Sequence, residues 1–148
     1  MLPAIFTRSR GMAKLYGQMF TPVLEQYALT QLEADILLFL ANNPAYDTAR
    51  DIVELRHIAK SHVSLGVESL AGRALLERYT CPGNRKTIHL RLTEAAAPIV
   101  EAGRSAQARY GQALLNGFSH QERQALFDLL DRVAENVDAA LAAERREP

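Results

Sequence analysis

The chain has 148 residues, 48% of them hydrophobic, and its 17 basic and 17 acidic residues give a formal net charge of zero at pH 7. This length suits one domain with a hydrophobic core. The sequence has no apolar run of about 20 residues to span a membrane and no signal-peptide pattern, and its single cysteine, Cys81, excludes an internal disulfide or a multi-cysteine zinc site. We therefore expect a cytoplasmic protein without a membrane partner.

The first 42 residues predict two helices. Apolar residues recur at intervals of three and four from Arg8 to Tyr27, which is the pattern of an amphipathic helix. The residues TQLE from Thr30 predict a capping box, in which the threonine side chain accepts from the backbone of Glu33 and the glutamate reaches back. A second helix is therefore expected to begin there and to end near Asn42.

A short third helix and a longer fourth helix are predicted next. Thr48 is a candidate cap for the third helix, and a turn at His57 leads to the fourth helix from about Lys60. The side of the fourth helix that we expect to be buried carries Val63, Val67 and Leu70.

The segments LLERYT and TIHLRLT alternate in polarity and flank the turn residues CPGN, so they predict a β-hairpin with Gly83 at positive φ. Thr93 is a candidate cap for a fifth helix, and SHQE from Ser119 is a capping box for a sixth. The sixth helix repeats apolar residues at intervals of three and four: Leu126, Leu130, Val133, Val137 and Leu141. The predicted fold is mainly α with a small β-hairpin.

The neutral total hides an uneven distribution of charge. From Thr48 to Leu92 there are eight basic and four acidic residues, so this segment has a net charge of +4 and the rest of the chain one of −4. Local potential, not total charge, attracts phosphates. A basic middle between acidic ends therefore favours a nucleic-acid surface, with an ordinary solvated face as the alternative.

Two helices joined by a tight turn can place the start of the second helix in a major groove, which is about 12 Å wide. Hydroxyl and imidazole groups reach base edges, lysine and arginine neutralise phosphates, and a guanidinium at the hairpin tip suits a narrow minor groove. The candidate DNA-binding residues are Lys60, Ser61, His62, Ser64, Leu65, Arg73, Arg85 and Lys86.

The segments LTQLEADILLFL, KSHVSLGVESL, LLER, NRKTIHLRLT and FSHQERQALFDLLDRVAENV, in this order and spacing, resemble the MarR (multiple antibiotic resistance regulator) family of winged helix-turn-helix repressors. The resemblance implies a recognition helix at about Lys60–Arg73 and a wing at about Leu75–Thr93. It also implies a single unit over residues 1–148, with a DNA-binding part at 30–93 and a helical dimerisation part at 1–29 and 94–148. We expect a homodimer on palindromic double-stranded DNA, acting as a repressor that a small molecule releases.

Three positions depart from the family pattern. The wing tip, usually Asp-Arg-Arg, is Asn84, Arg85 and Lys86 here, so an orienting carboxylate is missing. Leu65 replaces a common basic residue and suits a thymine methyl group. Ala59 occupies a usual serine cap position, which predicts a weaker start to the recognition helix.

Other functions are less well supported by the sequence. The four histidines have no metal-ligand spacing, no phosphate loop or nucleophile motif is present, and we predict neither an enzyme nor a cofactor. A metal-sensing regulator whose cluster forms only in the fold stays open, as does a winged helix that binds proteins alone. Binding of DNA, unlike the latter, would depend steeply on salt.

The resemblance also implies an effector pocket between the DNA-binding and dimerisation parts. Aromatic and methionine side chains adapt to flat apolar ligands. The candidates on helix one are Tyr16, Met19, Phe20 and Tyr27, with plain dimer core as the alternative for each.

Overall fold

A computed structural model describes residues 2–145, which are mainly helical with one two-stranded antiparallel sheet. The elements in chain order are α1 (Leu2–Tyr27), α2 (Gln31–Asn42), α3 (Ala49–Arg56), α4 (Lys60–Gly72), β1 (Leu76–Cys81), β2 (Asn84–Leu92), a 3-10 turn (Glu94–Ala96), α5 (Ala97–Leu114) and α6 (His120–Glu144). The predicted order is confirmed, and α1 begins before the expected Arg8. Met1 and residues 146–148 of the predicted dimerisation part lie outside the described residues.

Capping boxes begin three of the helices. Thr30 caps α2, Thr48 caps α3 and Ser119 caps α6, and in each case the side chain accepts from the backbone three residues on, where an acidic side chain reaches back. These interactions satisfy amide groups that a helix start leaves without partners. The predicted starts of α2, α3 and α6 are therefore confirmed.

The expectation for Thr93 is wrong. Its hydroxyl donates to the carbonyl oxygen of Ala74 at 2.7 Å, and its side chain makes no capping bond. The segment that follows is a 3-10 turn before α5 begins at Ala97. The side chain of Thr93 thus links the end of the hairpin to Ala74, in the turn between α4 and β1.

The core of the segment predicted to bind DNA, residues 30–93, is built around α2. Ile36 and Leu37 are fully buried, and Val63 and Leu70 of α4 pack in the same cluster. Gly66 lies at a close approach of α4 to α2, since a Cβ there would be 2.6 Å from Cδ1 of Ile36. The predicted buried side of α4 is confirmed.

The hairpin pairs β1 with β2 in antiparallel register from Leu76 opposite Leu92 to Cys81 opposite Asn84, with an irregularity between Tyr79 and Cys81. Pro82 and Gly83 form the turn, and Gly83 has the predicted positive φ, 83°. Leu76 and Leu90 are buried, so this end of the hairpin joins the core while the turn end is exposed.

Two compact units are present, Met1–Tyr110 and Gly111–Pro148. The first contains the helix-turn-helix and the hairpin together with α1 and most of α5, whereas the sequence predicts a DNA-binding part limited to residues 30–93. The second contains the end of α5 and α6, where Leu130, Val133, Val137 and Leu141 are exposed. None of the helices in residues 2–145 has the length and apolarity to span a membrane.

Candidate DNA-binding surface

The outer face of α4 is a row of small polar side chains around one leucine. Val63, Val67 and Leu70 point into the core, so the residues between them project outwards. Leu65 is 65% exposed. The structure also exposes the other predicted residues of this helix, which are Lys60, Ser61, His62 and Ser64.

Grooves flank this face on both sides. Lys60 and Ser64 line a groove of about 330 Å³ with Ala49, Arg50, Val53 and Glu54 of α3. His62 and Leu65 line another, of about 290 Å³, with residues at the start of α2. Four of the five predicted residues of α4 therefore fall into two pairs, Lys60 and Ser64 facing α3, and His62 and Leu65 facing α2.

Two charged residues of this surface are not among those predicted from the sequence. Arg50 lines the α3 groove with Lys60, and its Nε donates to Glu54 Oε1 at 2.7 Å. Glu68 is exposed on the same outward row of α4 as Ser61 and Leu65, because three or four residues make one helical turn. A carboxylate at this position would repel phosphates and could accept a hydrogen bond from the amino group of cytosine.

The start of α4 is weakly capped, as predicted. Ala59 precedes the helix and its side chain makes no capping hydrogen bond. The turn before it has His57 in the left-handed conformation, with φ 51°. This short turn between α3 and α4 is what exposes the first residues of α4.

Arg73 is engaged elsewhere. Its guanidinium donates to the carbonyl oxygens of Ala28 at 2.9 Å and Tyr27 at 2.7 Å, at the end of α1. It thereby satisfies carbonyl groups that the last turn of a helix leaves open. This observation favours a structural role for Arg73 over the phosphate contact predicted from the sequence.

Asn84 organises the hairpin tip. Its Oδ1 accepts from the backbone amides of Lys86 at 3.2 Å and Thr87 at 3.3 Å, and its Nδ2 donates to Thr87 Oγ1 at 3.0 Å. The two bonds that Oδ1 accepts are also available to an aspartate at this position, whereas the donation from Nδ2 requires the amide. Arg85 and Lys86 are exposed beside it.

A cluster at the base of the hairpin is likewise absent from the sequence prediction. Asp47, in the loop between α2 and α3, lies with Oδ1 2.7 Å from Nδ1 of His89, and its Oδ2 accepts from the hydroxyl of Tyr79 at 2.9 Å. Burial raises the pKa of Asp47, but the hydrogen bonds from His89 and Tyr79 outweigh it, so the pKa is lowered. Asp47 is therefore an anion at neutral pH.

A separate cleft of about 560 Å³ opens between α1, α2, α3 and α5. Its lining is aromatic and polar, and comprises Ala13, Tyr16, Gly17, Gln31, Arg56, Gln107 and Tyr110. Of the four effector residues predicted from the sequence, Tyr16 lies here.

The other three predicted effector residues do not line this cleft. Phe20 is fully buried in the core and does not line this cleft, which favours the alternative of plain core for this residue. Tyr27 packs against the core, with its hydroxyl 3.5 Å from the carbonyl oxygen of Pro98, and Met19 is half-buried outside the cleft lining. The sequence pattern could not separate these residues, because all four lie on one apolar side of α1.

Asp35 is a half-buried acid next to this cleft. Its Oδ1 accepts from Gln31 Nε2 at 3.0 Å and from the Tyr16 hydroxyl at 3.4 Å. Burial raises the pKa of Asp35, against the lowering effect of Gln31 and of the positive charge of Arg56. Burial likewise raises the pKa of Tyr16. The cleft thus offers a cation, a phenol and amides to a ligand.

The described residues include no group of three or more histidine, cysteine, aspartate or glutamate side chains arranged to hold a metal ion. His89 faces Asp47, and His62 lies on the outer surface of α4.

Residues 29–87, which hold α2, α3, α4 and most of the hairpin, match the sequence profile of the MarR family. Over this segment the chain is similar to MarR-family proteins. Solved structures share the fold of this chain. A MarR-family transcriptional regulator from Listeria monocytogenes, in complex with a 26mer DNA, aligns over 100% of this chain and 96% of its own with a TM-score of 0.83 and 19% identity.

Two further structures show the same fold at similar identities. MepR of S. aureus, in complex with DNA, aligns over 92% of this chain and 94% of its own, with a TM-score of 0.69 and 20% identity. BpsR of Bordetella bronchiseptica, whose DNA binding is regulated by 6-hydroxynicotinic acid, aligns over 88% and 98%, with a TM-score of 0.69 and 21% identity. At these identities the likeness is one of fold.

Proposed function

We propose that this chain is a MarR-family regulator of transcription that binds double-stranded DNA in a sequence-specific way. The observation that carries the proposal is the exposed start of α4, with Ser61, His62 and Leu65 outward on a buried apolar base. Side chains in this arrangement can reach base edges in a major groove. The MarR-family structures solved with DNA support the same interpretation. Because its target is DNA, we propose that it acts in the cytoplasm.

The hairpin tip would hold the neighbouring minor groove. Arg85 and Lys86 are exposed at the turn that Asn84 orders, and a narrow minor groove attracts arginine. Lys60 and Arg50 stand at the α3 groove, where a phosphate can approach both. The proposed surface thus combines base contacts from α4 with phosphate and groove contacts on either side of it.

Binding to a labelled promoter duplex and to a random duplex, each at two salt concentrations, tests this function. We expect affinity to fall steeply with salt, and Arg85→Ala to weaken both complexes by about 1 to 3 kcal/mol. Arg109→Ala is the matched control, since Arg109 is exposed on α5 away from the surface, and it should leave binding unchanged. Binding that ignores salt and Arg85 would instead favour a winged helix that contacts proteins alone.

We propose that a small aromatic anion releases the DNA by binding in the cleft at Tyr16. Arg56 supplies a positive charge, Tyr16 and Tyr110 supply aromatic surfaces, and Gln107 supplies an amide. The chain would then act as a repressor that this effector relieves. Because BpsR responds to 6-hydroxynicotinic acid, that compound is a suitable first probe.

Calorimetric titration with 6-hydroxynicotinate and with benzoate tests the effector proposal. Arg56→Gln should weaken the binding of either acid, because it removes the charge and keeps much of the side-chain size. Arg50→Gln, on the same helix but outside the cleft, is the control. An equal affinity of the wild type for benzoate and for neutral benzamide would show that Arg56 does not select a carboxylate.

The chain is also proposed to act as a homodimer on a palindromic site. The exposed apolar row of α6 supports this, since monomeric proteins rarely leave large contiguous apolar patches in water. Two copies would present two α4 helices to half-sites about 34 Å apart.

A further inference from the structure

The wing, defined here as β1, β2 and their turn, contacts the loop before α3 in addition to packing Leu76 and Leu90 into the core. The backbone carbonyl of Asp47 accepts from the amide of Leu90 at 2.7 Å, and Thr48 forms an isolated antiparallel bridge with His89. Thr48 is also the cap of α3, where its amide and hydroxyl both reach Asp51. Residues 47 and 48 therefore join the wing to the start of the helix-turn-helix.

The side chain of Asp47 strengthens this junction in a particular way. Tyr79 and His89 stand directly opposite each other on the two strands, and their rings stack with centroids 5.2 Å apart. One carboxylate contacts both of them, with a separate oxygen for each. Asp47 thus contacts both strands of the wing at one pair of opposing residues.

The tip of the wing lies well beyond the contacts of Asp47 with Tyr79 and His89. Its position therefore depends on the angle that the hairpin takes at those contacts. Arg85 is four residues from His89 along β2, which corresponds to about 13 Å in a strand. From residue 80 to residue 88 the hydrogen bonds of the described wing are internal to the hairpin. A small change of angle at Asp47 would therefore move the tip by several times the movement at the base.

We propose that Asp47 is a positioning residue for DNA binding, which fixes the wing against the start of α3 and so sets where Arg85 and Lys86 stand relative to α4. The inference rests on the proposed function, because it assumes that the wing tip contacts DNA. Asp47 itself touches no base or phosphate in this scheme. His89 and Tyr79 act with it as its two partners.

The charged groups next to Asp47, Tyr79 and His89 are paired with each other and do not compete for the Asp47 carboxylate. Arg91, which lies on the same face, has its guanidinium carbon 5.1 Å from the centre of the Tyr79 ring and donates to Glu77 Oε2 at 2.7 Å. The Arg91–Glu77 pair is thus satisfied within the hairpin. Asp47 is the carboxylate that links the hairpin to the α2–α3 loop.

A double-mutant cycle tests the inference. Asp47→Ala should weaken binding to the cognate duplex about tenfold, which is within the range of coupling between residues that act together. In an Arg85→Ala background the same change should cost less than about twofold, whereas in a Lys60→Ala background it should again cost about tenfold. Equal losses in both backgrounds would overturn the proposal, because they would indicate a general effect on folding.

Milder variants keep the test decisive if Asp47→Ala fails to fold. Tyr79→Phe removes one of the two donors and Asp47→Asn retains an acceptor for Tyr79, so both should show the same background dependence with smaller losses. Glu77→Gln is the matched control, since it removes a carboxylate from the same hairpin that does not reach the loop, and it should leave affinity unchanged. Unaltered affinity in all Asp47 and Tyr79 variants would overturn the proposal.

A measurement without DNA separates this inference from the proposed function. NMR relaxation of the amides of residues 84–88 should show greater mobility in free Asp47→Asn than in the free wild type and in Glu77→Gln. Failure of the wild type to bind any duplex would refute the proposed function, while this comparison would still decide the anchoring. Identical wing dynamics in the three proteins would refute the anchoring by Asp47.

Discussion

Leu65 occupies the centre of the face that we propose to read DNA, where an apolar side chain is 65% exposed. Such exposure gains nothing for folding, because the leucine stays in contact with water. An apolar group at this position can contact the methyl group of thymine. Lys60 differs in kind, since it stands beside the groove with Arg50 and carries a charge suited to a phosphate.

Variants of these residues should therefore fail in different ways. Leu65→Ala and His62→Ala should cost about 1 to 3 kcal/mol on the cognate duplex and little on random DNA. Lys60→Ala should weaken both complexes alike and reduce the salt slope by about one unit. Titration of each variant against both duplexes at two salt concentrations measures the difference. Equal losses on both duplexes for Leu65→Ala and His62→Ala would show that this face does not read sequence.

Arg73→Ala provides a contrasting case within the same helix-turn-helix. Because its guanidinium bonds the end of α1, its loss should lower stability by about 1 kcal/mol and leave the salt slope as in the wild type. If Arg73→Ala instead reduced the salt slope as Lys60→Ala does, the result would support the phosphate contact that the sequence predicts. Thermal unfolding and the salt titration together decide between the two roles.

Glu33 gives a pH dependence whose sign is fixed by its surroundings. Burial raises the pKa of Glu33, but hydrogen bonds from Ser69 and from the amide of Thr30 outweigh burial and lower it. A lowered pKa means that the folded chain favours the carboxylate. Its stabilisation is complete above the pKa of an unfolded glutamate, about 4.3, and is lost as the pH falls through the lower folded value.

Glu33→Gln should lower the free energy of unfolding by about 1 to 2 kcal/mol at pH 7. The difference from the wild type should stay constant from pH 8 to about 5 and shrink below about pH 4, where the wild-type carboxylate becomes protonated. Denaturant unfolding at several pH values checks this. Ser69→Ala, which removes the donor on α4, should give a smaller loss with the same pH dependence. A difference that widens on acidification would contradict the assignment.

At the scale of elements, the packing of α4 on α2 depends on Gly66. A methyl group there would meet the fully buried Ile36, so Gly66→Ala should destabilise the fold by about 1 kcal/mol or more, despite the better helix propensity of alanine. Gly72→Ala is the matched control in the same helix, because a methyl group at residue 72 would meet no atom within 4 Å, and it should be neutral or slightly stabilising. Thermal unfolding measures both, and equal melting temperatures would argue against close helix contact at Gly66.

Helix starts and the hairpin could be predicted because their causes are local in sequence. Thr30, Thr48 and Ser119 each find their acidic partner three residues on, and Gly83 carries its own freedom to adopt positive φ. Helix ends are harder to predict. Ala28, His57 and Ala74 adopt left-handed conformations, where sequence rules look for glycine or asparagine.

The parts of the site that the sequence did not reveal depend on contacts between distant residues. Asp47 meets His89 across 42 positions, and Arg73 meets Ala28 across 45. No spacing rule connects a loop aspartate with a histidine in a strand, so the wing anchor cannot be read from the sequence. The expected cap at Thr93 fails for the same reason, because a distant carbonyl on Ala74 competes for its hydroxyl.

At the scale of the whole molecule, the second unit leaves a row of apolar side chains on α6 exposed in the single chain. Leu130, Val133, Val137 and Leu141 recur on one side of α6 at intervals of three and four, and each is between 41% and 56% exposed. Covering such a row with a second copy would remove apolar surface from water, at roughly 25 cal/mol per Å². Its period of three and four residues is that of helices packed side by side.

Val133→Glu should therefore disrupt the dimer, because it buries a charge in the proposed interface. Light scattering should show a dimeric mass for the wild type and a monomeric mass for the variant, and affinity for a palindromic duplex should fall by at least about tenfold, since the two half-sites no longer bind together.

Ala139→Glu is the matched control, because residue 139 is exposed on the opposite side of α6 from this apolar row. It should remain dimeric with unchanged affinity. A monomeric wild type, or a dimeric Val133→Glu with full affinity, would contradict assembly through this row. A monomeric variant that still binds one half-site weakly would show that each copy reads DNA independently through α4 and the wing. In that case α6 would serve only to pair the two copies.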